Sequence, residues 1–319
     1  MDVAGRTLAD KERALSAWLT EAGSVLVGFS GGVDSALLAC VAVETLGRER
    51  VLAVIGRSAS FPASQWETAR RVADLFGIPV AEVDTRELED PRYAANPVDR
   101  CYYCKTELWK VLAPLAAARG LNRVVDGTNA DDRHDYRPGG RAATERGVAS
   151  PLAECGLTKA EIRALSERRG IPTWSVPSSP CLSSRIPYGT PVTSERLARI
   201  ELAEAAIRGL GVTRDLRVRE HGALARVELA AAELDAWLEP HRARALADVV
   251  RAAGFTRVAI DLRGFRSGSL NVLHGVTEAA VDAVGAVALA GTLRLDDQTS
   301  GHAKVAAPGN QDRKRAGSR

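Results

Sequence analysis

The chain has 319 residues, 45% hydrophobic and 26% charged, the composition of a packed globular protein rather than a disordered one. Its net charge of +3 is local: residues 301–319 hold five Lys/Arg and one Asp, and the rest balances 38 basic against 39 acidic residues. Such a body lacks a general nucleic-acid footprint, and residues 296–319, with their Gly, Pro and Ser, read as a disordered basic tail. The N-terminus carries charges where a signal peptide would be apolar, and no run of about 18 apolar residues occurs. The expectation is a cytoplasmic protein that makes no membrane contact. Five cysteines in a reducing compartment point to metal or catalysis before disulfides.

In chain order, residues 8–22 read as a helix and SVLVGF (24–29) as a short buried strand ended by Ser-Gly-Gly. A helix runs to Gly47, then a strand over 51–56, a helix over 64–77 and a strand over 78–84. Residues 100–120 form another helix, and NRVVDGTN (122–129) a strand that turns. Thr158 and Glu161 make a capping box for a helix. Strands alternating with helices predict an α/β fold, a parallel sheet with helices on both faces, over residues 1–186.

After residue 187 the pattern changes. A helix over 194–210, capped by Thr193 and stopped by Gly211, carries Leu197, Ile200, Ala203, Ile207 and Leu210 on one face. Two alternating strands follow about His221-Gly222, then a helix over 232–253 and a strand over 256–262. These predict a smaller α+β domain over 187–295 that serves substrate binding or oligomerisation.

The sharpest motif is SGGVDS, residues 30–35, between an apolar strand and a helix. Gly31 and Gly32 let the backbone wrap phosphate, Ser30 and Ser35 add hydroxyls, and the helix N-terminus favours negative charge. The Walker lysine is missing, so γ-phosphoryl transfer is not expected. The loop resembles that of the ATP-pyrophosphatase (PP-loop) superfamily, which implies cleavage of ATP between its α- and β-phosphates. DGTNADD (126–132) ends a strand at the sheet edge where such folds bind ligands. Its Gly127, Asp131 and Asp132 are candidates beside ATP, ribose or Mg²⁺; a solvated acidic turn is the plain alternative. Lys159 is a candidate phosphate contact or a solvent-facing lysine.

Two further features carry chemistry. Cys181 sits in the polar loop SSPCLSSRIPYG (178–189), an unusual place for a structural thiol. Cys101 and Cys104 share one face at the start of a helix, as a redox pair, two metal ligands or a coincidence. Cys40, inside an apolar helix, reads as core. Arg217 and Arg219 lie at i and i+2 on one strand face opposite Leu216 and Val218, and either form an anion site or line an exposed polar sheet face.

Taken in order, SGGVDS, RCYYCK, PCLSSRIPYG, RVREHGALARVEL and IDLRGFRSGSLN resemble the LarE family over about residues 10–275. The resemblance implies ATP-dependent sulfur insertion into pyridinium-3,5-biscarboxylic acid mononucleotide for the nickel-pincer cofactor, by adenylation and then thiocarboxylate formation. It implies Asp34, Arg185 and Cys181 as catalytic, and Ser184, Arg185, Arg217, Arg219 and Glu228 against the substrate, with Ser183 and Arg226 weaker. Cys101, Cys104 and Cys181 match members with a [4Fe-4S] cluster, whereas other members sacrifice a lone cysteine in this loop as the sulfur source. A homo-oligomer, plausibly a hexamer, is implied as well. A PP-loop tRNA thiolase and a nucleotide sensor without turnover are the alternatives.

Overall fold

The computed structural model describes residues 6–134, 138–177 and 180–266, all within one compact unit, Met1–Val276. Helix α1 (Leu8–Ala22) starts at Thr7, whose side chain and Asp10 cap each other, and buries Leu15 and Leu19. Strand β1 (Val25–Gly28) follows, then α2 (Val33–Leu46), β2 (Val51–Arg57), α3 (Ala63–Phe76) and β3 (Val80–Asp84). Next come the single turn α4 (Pro91–Ala94), the long α5 (Arg100–Ala118) and β4 (Arg123–Val125). Three helices follow, α6 (Pro138–Glu145), α7 (Pro151–Glu154) and α8 (Lys159–Arg168).

The four strands are all parallel, in the order β3-β2-β1-β4. Because side chains alternate across a strand, Val25 and Val27 join α1, α2, α3 and α8 in one core, and Leu26 turns to the other face. There it meets Leu52, Val54, Trp109 and Leu112, with Ala142 and Ala143 of α6. The expected helix-covered parallel sheet is present. From β1 the chain builds outward through β2 and β3, then returns to place β4 on the other side of β1. That reversal opens a crevice at the carboxyl ends of β1 and β4, where such sheets bind ligands.

A second sheet is formed after α9 (Ser194–Gly209) by β5 (Leu216–His221) and β6 (Leu224–Leu229). These pair antiparallel, and after α10 (Ala231–Leu238) and α11 (Pro240–Ala252) the strand β7 (Arg257–Ile260) adds parallel to β6. Leu197, Ile200, Ala203 and Ile207 of α9 pack with Val218, Val227, Leu246 and Val250 in this region's own core. Tyr93 and Leu182 also belong to that core, which roots the Cys181 loop in it.

Several expectations need correction. The single helix over 232–253 is two, because Pro240 forces Glu239 into an extended conformation (φ −53°, ψ 132°). Leu210 lies beyond the end of α9 and is 37% exposed, so it does not continue the buried stripe. The strand around residue 124 spans only Arg123–Val125, since Asp126 onward turns to bind side chains. The basic tail and the SGSLN end of the last motif lie outside the described residues. Among the described residues, no helix is long and apolar enough to cross a membrane.

Candidate active site

At the end of β1 the backbone turns through Gly31 at φ +73°, a left-handed conformation that side chains rarely adopt. A Cβ there would also lie 2.5 Å from the Ala69 Cα of α3, so space and torsion both demand glycine. Ser35 Oγ accepts from the Ser30 N–H at 3.2 Å and donates to the Gly32 carbonyl at 3.2 Å, which closes the loop over the first turn of α2. The Ser30 hydroxyl lies 3.2 Å from that of Ser35. On the outer side Gln65 Nε2 donates to the Ser30 carbonyl at 3.2 Å. The loop is therefore held in shape before any ligand arrives.

The turn after β4 packs on the same helix end: a Cβ on Gly127 would be 2.9 Å from the Ser35 nitrogen. Asn129 Nδ2 donates to Asp34 at 3.3 Å, and Lys159 Nζ lies 2.5 Å from the other Asp34 oxygen. Lys159 thus reaches the loop and takes Asp34 as counter-ion. Asp131 is exposed and accepts the Lys159 N–H at 2.8 Å, so it caps α8. Asp132 accepts the Asn129 N–H at 3.1 Å. The N-termini of α2 and α8 are tied together here through Lys159, which reaches Asp34 with its ammonium and Asp131 with its backbone N–H. The oxygen donors of Asp34 and Asp131 suit Mg²⁺, a hard cation.

Cys181 stands half-buried at the head of a helical turn, Leu182–Arg185. The Leu182 N–H donates to the Ser60 carbonyl at 2.8 Å, and the Tyr93 hydroxyl lies 2.7 Å from Ser183 Oγ. Arg100, 4% exposed, donates to the Ser183 carbonyl at 3.1 Å and to Asn96, whose own Nδ2 binds the Pro187 and Thr190 carbonyls. Arg185 is fully used by the protein. Its guanidinium forks onto Glu204 at 2.9 and 3.0 Å and binds the carbonyls of Pro180 and Cys181 at 2.6 and 3.1 Å. It also donates to Ser184 Oγ at 3.0 Å. Its geometry is that of a brace for the cysteine loop.

Cys101 is exposed and Cys104 partly buried on the first turns of α5. Burial pushes the Cys104 thiol up, and the nearby Glu87, Cys181 and Cys101 push it further. Thiolate sulfur is the soft donor that an iron–sulfur cluster takes. Among the described residues no three His, Cys, Asp or Glu side chains are gathered in a metal-binding group. Cys40 and Cys155 belong to the main core, where burial raises their thiols to about 12 and about 11.

Strand β5 is buried on both faces, so the reading of an exposed polar face does not hold: Arg217 and Arg219 are each only 5% exposed. Arg219 binds Glu228 at 3.0 Å and the Ser184 carbonyl at 2.9 Å, and Arg226 binds the other Glu228 oxygen at 2.8 Å. Arg217 lies over the Phe265 ring at 4.9 Å and donates to the Leu216 carbonyl at 2.7 Å. Burial, with Arg185 close by, lowers its guanidinium to about 10. A cation held at that cost favours an incoming anion.

Comparison with known proteins sharpens this geometry. Residues 12–94 match the NAD synthase family. An uncharacterized protein of Synechocystis is 43% identical over 83% of this chain and 98% of its own length. The pyridinium-3,5-bisthiocarboxylic acid mononucleotide synthase of Lactiplantibacillus plantarum is 37% identical over 83% of this chain and 95% of its own. The chain belongs to the LarE family. An NH₃-dependent NAD⁺ synthetase of Methanosarcina mazei is 33% identical over 49% of this chain and 62% of its own.

In this LarE chain sequence reasoning missed the residues that hold the cysteine loop: Ser60, Glu87, Tyr93, Asn96, Arg100 and Glu204. They come from segments 19 to more than 100 residues away from it, and apart from Arg100, which opens RCYYCK, none belongs to a motif. One signal was present. Asn96 stands just before a proline and just after α4, where it takes φ +57°, an asparagine-tolerated conformation.

Proposed function

We propose that the chain inserts sulfur into pyridinium-3,5-biscarboxylic acid mononucleotide at the expense of ATP. A carboxylate oxygen attacks the α-phosphorus, pyrophosphate leaves, sulfur attacks the acyl carbon and AMP leaves. The observation that carries this reading is one stretch that runs from the β2–α3 connection into the first turn of α3. It reaches the nucleotide loop through Gln65 and the Cys181 loop through Ser60, so the two loops share a support.

In this scheme the N–H groups of residues 31–35, with the Ser30 and Ser35 hydroxyls, hold the pyrophosphate that departs. Lys159 leaves Asp34 for phosphate oxygens; Asp34 and Asp131 would hold Mg²⁺, which would supply neutralisation of phosphate charge. Arg217 and Arg219 take the phosphate or free carboxylate of the substrate, and Arg226 with Glu228 fixes the Arg219 fork. Arg185 and Ser184 hold Cys181 in place. The region from residue 187 acts as the substrate domain, and a homo-oligomer is part of the same proposal, tested by sedimentation.

For the sulfur, Cys101, Cys104 and Cys181 are proposed to hold a [4Fe-4S] cluster. Held by these three thiolates, such a cluster would supply sulfide from outside the chain, so that Cys181 would not be consumed. Protein made anaerobically should contain close to four irons, and each Cys→Ser change should lower iron and sulfur transfer together. Iron-free protein that transfers one sulfur and loses the mass of one H₂S would assign the sulfur to Cys181 itself. Pyrophosphate and AMP are the expected nucleotide products; ADP and phosphate would overturn the whole reading.

A further inference from the structure

Behind Ser60 stands Glu87, in the helical turn Glu87–Glu89 that follows β3. It is 2% exposed, and a buried carboxylate is costly unless it is well partnered. One oxygen accepts from Ser60 Oγ at 2.8 Å; the other has no hydrogen-bond partner among the described residues. Packing alone does not call for a carboxylate here, since an apolar side chain would fill the space at less cost.

We propose that Glu87 is a positioning residue for Cys181 and acts through Ser60. The inference rests on Cys181 being the sulfur-bearing centre. The side chain of Ser60 is fixed by Glu87 and by Ser58 Oγ at 2.9 Å, and its carbonyl holds the Leu182 N–H, one residue from Cys181. On the far side Tyr93 and Arg100 hold Ser183. The Ser60 side therefore decides where Cys181 stands relative to the nucleotide loop, which the same segment touches through Gln65 and, at Gly31, through Ala69. Glu87 also lies close enough to Cys104 to push its thiol up. Glu87 thus acts on the position of Cys181 without touching a reacting atom.

The test uses the full chain with ATP and the pyridinium mononucleotide, and reads pyrophosphate release, thiocarboxylate formation and exchange of the Leu182 amide. Glu87→Ala and Ser60→Ala should each slow thiocarboxylate formation about tenfold or more, the worth of a hydrogen bond to a charged group. Pyrophosphate release and the KM for ATP should stay within about threefold, because the nucleotide loop keeps its own bonds. The Leu182 amide should exchange faster in both variants. Glu87→Gln, whose amide oxygen still accepts from Ser60, should recover most of the rate, and the double alanine variant should be no worse than either single one. Additive losses, a Gln variant as poor as Ala, or unchanged sulfur transfer in both alanine variants would overturn the proposal. Ser60→Ala removes only a hydroxyl and carries the test if Glu87→Ala does not fold. Cys181→Ala separates the two readings. Sulfur transfer surviving in that variant refutes Cys181 as the centre, whereas the Glu87 results alone leave that assignment standing.

Discussion

The nucleotide loop and the β5–β6 sheet are both proposed here to take anions, yet they are built from opposite materials. The loop uses backbone N–H groups, two serine hydroxyls and a helix end, and its one lysine is balanced by Asp34 at 2.5 Å. The sheet, with the turn packed on it, uses whole charges out of water: Arg217 and Arg219 at 5% exposure each and Glu228 at 1%, beside Arg185 of the cysteine loop at 1%. Backbone dipoles cost little to hold in place, but each buried guanidinium must be answered by a carboxylate or carbonyls. Arg185 and Arg219 are answered by Glu204 and Glu228, while Arg217 is the one whose charge burial weakens. Anion sites made of backbone can be pre-formed and stable. Those made of buried side chains trade stability for specificity.

The comparison is broken most severely at Arg185. Arg185→Met should destabilise the chain by about 3 kcal/mol, the order found when one partner of a buried ion pair is removed. It also frees two carbonyls of the cysteine loop. Urea denaturation measures it, and an unchanged midpoint would make the brace unimportant.

Gly31→Ala tests the other material. Its Cβ would fall 2.5 Å from Ala69 Cα at φ +73°, a strain of about 1–3 kcal/mol that displaces the loop. The expected result is a fall of about a hundredfold in kcat/KM for ATP, with binding of the pyridinium substrate in calorimetry little changed.

Arg217 should behave unlike Arg185. Arg217→Ala is expected to weaken substrate binding about tenfold to a hundredfold, and Lys to restore only part of it. Arg217→Met should keep or raise the melting temperature, because it removes a cation whose burial is unfavourable. A large loss of stability in Arg217→Met would erase the distinction drawn between the two arginines.

The smallest effect lies behind the nucleotide loop. Burial pushes Glu161 up, but the hydrogen bond from Lys11 and those from Thr158 outweigh it and hold the carboxyl below its ordinary range. A depressed folded-state pKa means that this contribution is complete above the ordinary glutamate range and is lost as pH falls through the folded value. Glu161→Gln should therefore cost about 1 kcal/mol at neutral pH, and the difference from wild type should shrink in acid. A difference that grows as pH falls would reverse the sign argued here.

How much of this was legible depends on the range over which each feature is encoded. The parallel sheet, its covering helices, the capping boxes at Thr7 and Thr158 and the glycine loop are written in consecutive residues. Period, capping and turn chemistry act over four residues or fewer. The break at Pro240 belongs to the same class and was there to be read. The strand arginines were visible as a pair on one face, but nothing local distinguishes a buried face from a wet one. That decision comes from Glu204 of α9, from Ser184 and from Phe265.

The sequence by itself determined that a phosphate-wrapping loop precedes a helix and that a polar loop carries a thiol, since glycines, hydroxyls and cysteine have those capacities wherever they stand. Only the tertiary structure decided which side chains meet. It set Lys159 on Asp34 across 125 residues, Tyr93 on Ser183 across 90 and Glu87 behind Ser60 across 27. The physical reason is that a side-chain hydrogen bond depends on the packing of whole elements to a few tenths of an ångström, and no short window of sequence contains that information.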